Sequence, residues 1–351
     1  MEYRRLGRSG VKVSPLCIGT MMFGAQTEEA VARRIIDRAR DQGVNFIDTA
    51  NTYAAGRSEE VVGRAIAANR DHWVLATKMG GPAGPAPHGR GLSRLAAMRA
   101  VEGSLKRLGA EAIDIYYLHV EDHATPLEET VRAVADMIRA GKVRYFGVSN
   151  HRAWRIAEIC RLAREAGIDG PVISSPYYNA LTRMPEVEQL PACAHFGLAV
   201  FPYSPIARGV LSGKYRANEP PPPGTRAARA DKRMMETEWR PGNLEVAARI
   251  VAHAQARGIT PGQFAIAWLL NNRLVTGAVT GPRTFEQWED YVGALTYRFT
   301  AEDEALVDAL VPPGHPSTPG YTDPAYPLEG RLPIAGAAAV GRSPFNADAL
   351  A

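Results

Sequence analysis

Short apolar runs rich in β-branched residues alternate along the chain with longer segments in which apolar residues recur at helical spacing. The short runs predict eight strands: CIGT from Cys17, VNFID from Val44, WVLATK from Trp73, IDIYYLH from Ile113, VRYFGVS from Val143, PVIS from Pro171, LAVFPYS from Leu198 and LVTGAV from Leu274. The longer segments predict helices over residues 28–42, 58–69, 92–108, 127–140, 152–166, 184–196, 244–257, 261–271 and 285–295. Strand and helix therefore alternate through most of the chain.

Eight strands that are each followed by a helix predict a parallel sheet with right-handed crossovers, closed into a (β/α)₈ TIM barrel. The α/β alternation is also compatible with a doubly wound open sheet, which is the alternative. Before the first strand, YRRLG and VKVSP flank a turn at residues 8–10, which predicts an N-terminal β-hairpin at the bottom of the barrel. We expect residues 1–351 to form a single barrel domain.

Three segments interrupt the alternation. They are the Gly/Pro-rich loop 80–91, the stretch 216–242 with four consecutive prolines, and the Pro/Gly-rich tail 311–351. The first two follow the third and seventh predicted strands, so both belong to the C-terminal face, where barrel active sites are built. The tail carries Tyr321 and Tyr326, and either folds over that mouth or remains an exposed disordered tail.

Composition narrows the class of protein. With 351 residues, of which 46% are hydrophobic, the chain can bury a large core. The longest apolar stretch, FAIAWLL at residues 264–270, is far shorter than the roughly 20 residues that cross a bilayer. The start of the chain, MEYRRLGRSG, lacks the apolar core of a signal peptide. We therefore expect a soluble, cytoplasmic protein with no membrane partner.

Charge and cysteine content argue against further classes. The net charge is +4 and the basic residues are spread along the chain, so nucleic acid is not implied as a partner. The three cysteines stand far apart with no CxxC pair, which fits neither a disulfide framework nor a zinc site. Only 6 of the 41 basic residues are lysines, which makes Lys78, at the end of a predicted strand, a candidate functional residue.

Four ionisable side chains follow or end three successive predicted strands. Asp48 ends the second strand, Tyr53 lies in the loop after it, Lys78 ends the third and His119 ends the fourth. Each alone has a structural explanation, since a strand-end Asp often caps the next helix. Together they meet at one rim of the predicted barrel, and their chemistry is complementary.

Together, the four side chains could polarise a substrate oxygen and donate a proton to it. A free tyrosine, with a pKa of about 10, is a poor proton donor at neutral pH, and we expect the cation of Lys78 to lower the pKa of Tyr53. Asp48 would pair with Lys78, and His119 would donate a hydrogen bond to a substrate carbonyl. Because this set has no electron source, a reduction needs a cofactor that carries hydride.

Motifs for other chemistries are missing. The chain has no GxSxG elbow, no GxxxxGK[ST] phosphate loop and no GxGxxG after a predicted strand. HVEDH contains His119 and His123, but a strand that ends in a loop does not present two histidines as HExxH does on a helix. We therefore predict no metal site.

Seven segments of the chain resemble the aldo-keto reductase superfamily, in particular its longer-loop branch related to potassium-channel β-subunits. They are LGRSGVKVSPLCIGTMMFG, FIDTANTYAAGRSEEVVG, LATKMG, DIYYLH, GKVRYFGVSN, FPYSPIARGVLSGKY and TGPRTFEQWED, and they span about the first 300 residues. The resemblance implies that Asp48, Tyr53, Lys78 and His119 are a catalytic tetrad. It also implies that NADPH binds across the barrel mouth without a Rossmann fold, with a small carbonyl compound as substrate.

The resemblance assigns cofactor contacts residue by residue. It puts Thr20 and Met21 near the nicotinamide ribose, with Ser149 and Asn150 holding the carboxamide. Tyr203 would stack on the nicotinamide, although a core tyrosine beside Phe201 is the alternative. The pyrophosphate loop corresponds to Ser204, Pro205, Ile206, Ala207, Arg208 and Lys214. The adenosine 2′-phosphate segment corresponds to Gly281, Arg283, Gln287 and Asp290, and the fixed donor fork of Arg283 favours NADPH over NADH.

Two positions depart from the family pattern. Ser175 stands where the family usually has a Gln that donates to the carboxamide, and Tyr291 stands where it has an Asn near the adenine. We therefore expect the affinity for the cofactor, or the preference between NADPH and NADH, to differ from that of the family. Substrate choice would depend on Met22, Phe23 and the three irregular segments, and we expect a hydrophobic or bulky carbonyl compound.

Two other functions stay open at this point. One is an NADPH-binding regulatory module, like the channel β-subunits, with slow turnover. The other is a barrel isomerase acting on a sugar phosphate, which needs a carboxylate base and a phosphate site at the seventh and eighth loops.

Overall fold

The computed structural model describes residues 1–84, 88–217 and 219–326 of the chain. Its first two strands, β1 (Arg4–Arg5) and β2 (Lys12–Val13), pair as an antiparallel hairpin. The others are β3 (Leu16–Gly19), β4 (Phe46–Asp48), β5 (Val74–Met79), β6 (Ile113–Leu118), β7 (Val143–Ser149), β8 (Ile173–Ser175), β9 (Ala199–Val200) and β10 (Ala278–Thr280). All eight predicted strands and the predicted hairpin are present.

The eight strands β3 to β10 form one parallel sheet that closes into a barrel. Each strand from β3 to β9 pairs with the next one in sequence, and β10 pairs back to β3. A parallel bridge between Tyr203 and Val279 joins the two remaining edges. This sequential order with closure confirms the (β/α)₈ barrel and excludes the doubly wound sheet, in which the strand order reverses in the middle.

Helices follow the strands as the apolar spacing predicts. Their bounds are α1 (Glu29–Asp41), α2 (Arg57–Ile66), α3 (Arg94–Leu108), α4 (Leu127–Arg139), α5 (Ala153–Glu165), α6 (Gln189–Phe196), α7 (Lys232–Thr237), α8 (Pro241–Ala256), α9 (Pro261–Asn271), α10 (Phe285–Gly293) and α11 (Ala301–Leu310). The start of α9 shows a local signal: the Thr260 hydroxyl accepts from the Gln263 N–H, and Pro261 occupies the first turn. Among these, α7 and α11 were not predicted.

The eighth strand begins later than predicted. Its run starts at Leu274, but β10 begins at Ala278. The Asn272 side chain accepts from the Leu274 N–H at 2.9 Å, and the Asn272 carbonyl accepts from the Val275 N–H at 2.9 Å. An asparagine that bonds its own following backbone makes a turn, so this turn takes the first residues of the apolar run out of the strand.

The barrel interior is a packed core rather than a pore. Leu6 from the hairpin region lies with Phe46 and Phe201 in one buried cluster, and the two phenylalanine rings meet edge to face at 5.0 Å. Gly277 makes room for Phe201, because a Cβ there would lie 2.3 Å from a ring carbon. The polar side chains at the C-terminal ends of the strands therefore lie next to a tightly packed apolar core.

Two irregular segments pack against each other on the C-terminal face. The proline-rich insertion (residues 216–242) contains α7, and the C-terminal segment (residues 311–326) runs beside it. The segment is held by backbone hydrogen bonds from Ser317 to Leu181 and from Arg183 to His315, at 2.9 and 3.0 Å. Residues 327–351 of the predicted tail lie outside the described residues, and no helix in the described ranges is long and apolar enough to cross a membrane.

Candidate active site

A cavity of about 290 Å³ opens at the C-terminal ends of the barrel strands. Most of the side chains that the sequence singled out line it: Met21, Asp48, Tyr53, Lys78, His119, Ser149, Asn150, Ser175, Tyr203, Ser204, Pro205, Ile206, Arg208, Lys214, Gly281, Arg283 and Gln287. Residues from both ends of the chain thus meet in one space.

Three predicted cofactor residues do not line the cavity. Thr20 is buried and its hydroxyl donates to the Asp48 carbonyl at 3.0 Å, so it supports the β3–β4 rim from behind. Ala207 is buried in the core. Asp290 accepts hydrogen bonds from Thr260 and Gln263, which ties α10 to the start of α9 instead.

The four tetrad residues come together because parallel strands end at a common rim. Asp48 lies opposite Ala76 in the register of β4 and β5, and the His119 N–H donates to the Met79 carbonyl at 2.9 Å. Tyr53 begins a short 3₁₀ turn in which Ala54 and Ala55 have φ of 49° and 56°. Alanine rarely adopts this left-handed region, so the turn stores strain at the residue that presents the phenol.

Lys78 is the centre of the group. Its ammonium pairs with the Asp48 carboxylate, donates to the Thr49 carbonyl at 2.9 Å and lies 3.4 Å from the Tyr53 hydroxyl. Burial is the largest single effect and lowers the pKa of Lys78, but the charges of Asp48 and Tyr53 and the hydrogen bonds to both together outweigh burial, so the pKa ends above its usual value. Lys78 is therefore a cation at neutral pH.

The protonation of Tyr53 differs from the expectation. Burial raises the pKa of Tyr53 above its ordinary value, and the opposing charge of Lys78 does not cancel that effect. The predicted lowering of the Tyr53 pKa is thus wrong for the net shift, because desolvation of the phenolate dominates. Tyr53 holds its proton at neutral pH and can donate it.

His119 is a neutral imidazole beside Tyr53. Burial, and after it the charge of Lys78, lowers the pKa of His119 to about 3. The two rings meet edge to face with centroids 5.9 Å apart. Buried polar atoms normally have partners, yet His119 Nδ1 and Asp48 Oδ2 have none among the described residues.

A second group of polar side chains forms the wall next to His119. The Asn150 amide donates to the His119 carbonyl at 2.9 Å and to the Ser149 hydroxyl at 3.0 Å, and its oxygen accepts from the Tyr203 hydroxyl at 2.7 Å. Asn150 has φ of 59°, a conformation that asparagine tolerates better than most residues. This backbone turn directs the amide toward the cavity wall.

Cations gather at another part of the cavity. Lys214, Arg226 and Arg283 all line it, and Arg226 pairs with Asp231 at 3.2 Å. Burial, followed by the charges of Arg283, Arg226 and Arg229, lowers the pKa of Lys214 to about 8. No carboxylate within the described ranges is paired with Lys214 or Arg283, so this corner of the cavity is suited to an anion.

Some lining residues were missed or misplaced by sequence reasoning. Arg226 and Arg233, which the sequence did not single out, come from the proline-rich insertion, whereas Tyr326, which it named in the tail, also lines the cavity. The insertion was expected on this face, but nothing in its sequence marks which arginine turns inward. Phe23, expected to shape substrate choice, is fully buried in the main hydrophobic core and does not line the cavity.

No group of three His, Cys, Asp or Glu side chains that could hold a metal ion exists within the described part of the chain. His119 and His123 of the HVEDH segment take different positions. His119 lines the cavity, whereas His123 pairs with Glu121 at 3.2 Å.

Comparison with known proteins gives a consistent result. Residues 15–312 match the family model described as the aldo/keto reductase family. The chain is 37% identical over 338 residues to the uncharacterized oxidoreductase YrpG of Bacillus subtilis, covering 93% of this chain and 99% of that protein. It is 36% identical over 300 residues to a probable voltage-gated potassium channel subunit beta of Arabidopsis thaliana, covering 84% and 91%. It is 33% identical over 329 residues to the L-glyceraldehyde 3-phosphate reductase of Escherichia coli O157:H7, covering 90% and 93%.

Proposed function

The chain belongs to the aldo/keto reductase family, and from that premise we propose that it reduces an aldehyde or ketone to an alcohol with NADPH, using Tyr53 as the proton donor. The observation that carries the proposal is the buried Lys78 ammonium, 3.4 Å from the Tyr53 hydroxyl in a cavity that His119 also lines. The reaction is reversible, since each residue can run its step in both directions.

The residues act on the carbonyl oxygen. The neutral His119 has one N–H to donate to that oxygen, which polarises the carbonyl. When bound, NADPH supplies the hydride that the carbonyl carbon takes up. Tyr53 gives its proton to the oxygen as negative charge develops there. An alkoxide is a stronger base than a phenolate, so the transfer is downhill even with a raised Tyr53 pKa.

Lys78 and Asp48 support the proton donor. The Lys78 charge stabilises the phenolate that Tyr53 becomes, and Asp48 keeps that charge in place. Tyr53 then regains a proton from solvent, which completes the cycle. Without Asp48, the ammonium would be a buried and uncompensated charge.

The residues present fit a dinucleotide with an extra phosphate. Arg283, with Arg226, would hold the 2′-phosphate of NADPH, and Lys214 would hold the pyrophosphate. Burial and then the neighbouring cations lower the pKa of Lys214, and bound phosphates would offset the repulsion from those cations. Ser149 and Asn150 would hold the carboxamide. Ser175 and Tyr291, the two departures from the family pattern, also line the cavity and would modify the affinity.

An isomerase is a poorer fit. Among the described residues that line the cavity, Asp48 is the single carboxylate, and it is ion-paired with Lys78. The Lys78 ammonium holds Asp48 in place, so proton abstraction from a sugar phosphate lacks a free carboxylate in this lining. One observation supports the alternative of a regulatory module: the chain is similar to plant proteins named as probable voltage-gated potassium channel subunits beta.

The test of the proposal is a screen of NADPH oxidation against a chemically diverse library of aldehydes and ketones, followed by the chirality of the alcohol formed. We expect turnover, with hydrophobic or bulky carbonyl compounds preferred over small charged ones. Tight NADPH binding without turnover of any carbonyl would contradict the reductase and support the regulatory module.

Cofactor preference is tested by Arg283→Ala. Losing a charge-assisted contact is expected to weaken NADPH binding about 10- to 100-fold and to leave NADH binding nearly unchanged. The exposed Arg298→Ala removes the same charge away from the cavity and serves as the control. Equal effects of Arg283→Ala on both cofactors would contradict the assignment of this corner to the 2′-phosphate.

A further inference from the structure

A buried ionic cluster lies directly behind the cavity wall. Glu238, at the end of α7 in the proline-rich insertion, has a fully buried side chain. Its Oε1 accepts from the Tyr177 hydroxyl at 2.7 Å and from Arg208 Nη1 at 3.1 Å. The Thr237 hydroxyl bonds to the other carboxylate oxygen, so both oxygens have partners.

The cluster reaches the cavity at two points. The ring of Tyr177 stacks on that of Tyr203, with centroids 5.5 Å apart and planes at 26°. Arg208 Nη1 also donates to the Ser204 hydroxyl at 3.2 Å. Tyr203, Ser204 and Arg208 line the cavity, whereas Tyr177 and Glu238 do not.

Burying the Glu238 carboxylate costs stability, so the cluster is better explained by a role in orienting its neighbours. A buried carboxylate loses its hydration and is tolerated only with a full set of partners, and an apolar filling of the same volume is often at least as stable. Burial and the Glu238 charge raise the pKa of Tyr177 well above its usual range, so its hydroxyl stays protonated and keeps donating. Ser204, Ala207 and Arg208 have positive φ of 56°, 48° and 49°, a conformation that non-glycine residues seldom adopt, so the loop is held at these three residues.

We propose that Tyr177 and Glu238 are positioning residues for the cofactor: Tyr177 fixes the ring plane of Tyr203, and Glu238 fixes both Tyr177 and the guanidinium of Arg208 against the cavity. The inference rests on the proposed function, in which Tyr203 and the Ser204–Arg208 loop contact NADPH. Glu238 and Tyr177 thereby control the cofactor site from behind, without contacting the cofactor themselves.

The chain contains a matched control. The next residue, Tyr178, donates to Glu186 at 2.6 Å, and Arg183 donates to the same carboxylate oxygen at 2.9 Å. This second Tyr–Glu–Arg cluster borders a different surface depression, and none of its members lines the active cavity. Tyr177→Phe and Tyr178→Phe therefore remove chemically equivalent hydroxyls, one behind the cofactor wall and one away from it.

The experiment measures NADPH dissociation constants by nicotinamide fluorescence, together with kcat and carbonyl KM, for the whole protein. Tyr177→Phe and Glu238→Gln are expected to raise the NADPH Kd about tenfold while carbonyl KM changes less than about twofold. Tyr177→Leu, which also removes the stacked ring, is expected to weaken NADPH further. Tyr178→Phe is expected to lower Tm by a similar amount as Tyr177→Phe and to leave the NADPH Kd unchanged.

An unchanged NADPH Kd in Tyr177→Phe, or an equal rise in Tyr178→Phe, would overturn the proposal. Tyr177→Phe keeps the test decisive if Glu238→Gln fails to fold. Binding is measured without turnover, so a wild type that binds NADPH but reduces no carbonyl defeats the proposed reductase alone. A wild type that binds no NADPH defeats both.

Discussion

At the scale of single residues, burial decides the protonation states around Lys78. Tyr53 keeps its proton because desolvation outweighs the attraction of the ammonium, and His119 stays neutral because both burial and Lys78 disfavour its charge. The proposed division of labour follows from these states: a neutral N–H donor, a protonated phenol and a fixed cation.

The depressed His119 pKa predicts how activity depends on pH. With a pKa of about 3 in the folded protein, His119 does not titrate between pH 5 and 8, so kcat/KM should show no inflection near the ordinary histidine value. The measurement is the pH profile of carbonyl reduction. A loss of activity around pH 6.5 that His119→Gln abolishes would contradict this state.

The same shift predicts a pH-dependent stability. A histidine whose folded pKa lies below its unfolded value adds stability above about pH 6.5, and that contribution is lost as the pH falls toward 3. Between pH 7 and pH 5 this single group should cost up to about 2 kcal/mol. Urea unfolding of wild type and His119→Gln at both pH values measures the difference, and an equal pH dependence in the two proteins would refute the prediction.

The sequence indicated the rim residues because strand ends and barrel topology are local and regular. Asp48, Lys78 and His119 could be assigned to one rim from strand order alone. The net pKa shift of Tyr53 and the inward turn of Arg226 could not be predicted, since both depend on packing between distant segments. Neither property leaves a periodic pattern in the sequence.

At the scale of elements, α11 was not predicted although the sequence carries a clear signal for its start. Its start carries a capping box in which Thr300 and Asp303 each accept from the other's backbone N–H. The segment TAEDEALVDAL shows this signal, with three acidic residues in the first turn. By contrast, α7 has only six residues inside a proline-rich loop, too few for a periodic pattern.

Asp303 is predicted to be a major support of this helix. Burial would raise its pKa, but hydrogen bonds from His253, Thr300 and Tyr297 outweigh burial and lower it to about 2. Asp303→Ala should reduce the free energy of unfolding by about 2–3 kcal/mol, because it removes a helix cap and leaves several partly buried donors unpaired. The Asp303 contribution should persist above about pH 4 and disappear as the pH falls toward 2.

Urea unfolding at pH 7 measures this effect, with Glu302→Ala as the control. Glu302 is the neighbouring acid and pairs with Arg257, but its side chain is 76% exposed. An exposed pair contributes roughly 0–1 kcal/mol. Equal losses in the two variants would contradict a special role for Asp303.

At the scale of the whole molecule, the C-terminal segment and the proline-rich insertion hold each other. Arg233 makes two hydrogen bonds to the Asp323 carboxylate, at 3.0 and 2.6 Å, and the Arg240 guanidinium lies 3.5 Å from the Tyr321 ring centroid. Tyr326 follows and lines the cavity. We propose that residues 311–325 hold Tyr326 in place as part of the wall of the substrate site.

Loosening this contact should change substrate handling more than cofactor binding. Asp323→Asn weakens the bidentate pair with Arg233, so KM for a bulky carbonyl should change severalfold while the NADPH Kd stays within about twofold. Asp136→Asn is the control, because Asp136 pairs with Arg94 and neither residue lines the cavity or contacts the C-terminal segment. An unchanged carbonyl KM together with faster hydrogen exchange of residues 318–326 would show that the segment does not shape the site.

The most direct test of Tyr53 as the proton donor is single-turnover hydride transfer in Tyr53→Phe, followed by nicotinamide absorbance with NADPH prebound. Tyr117→Phe is the control, because its buried hydroxyl has no partner among the described residues although its ring lies 5.5 Å from the Lys78 ammonium. We predict that Tyr53→Phe binds NADPH as the wild type does and transfers hydride about 10²- to 10⁴-fold more slowly, while Tyr117→Phe keeps the wild-type rate. Hydride transfer at the wild-type rate in Tyr53→Phe would contradict the assignment of Tyr53 as the proton donor.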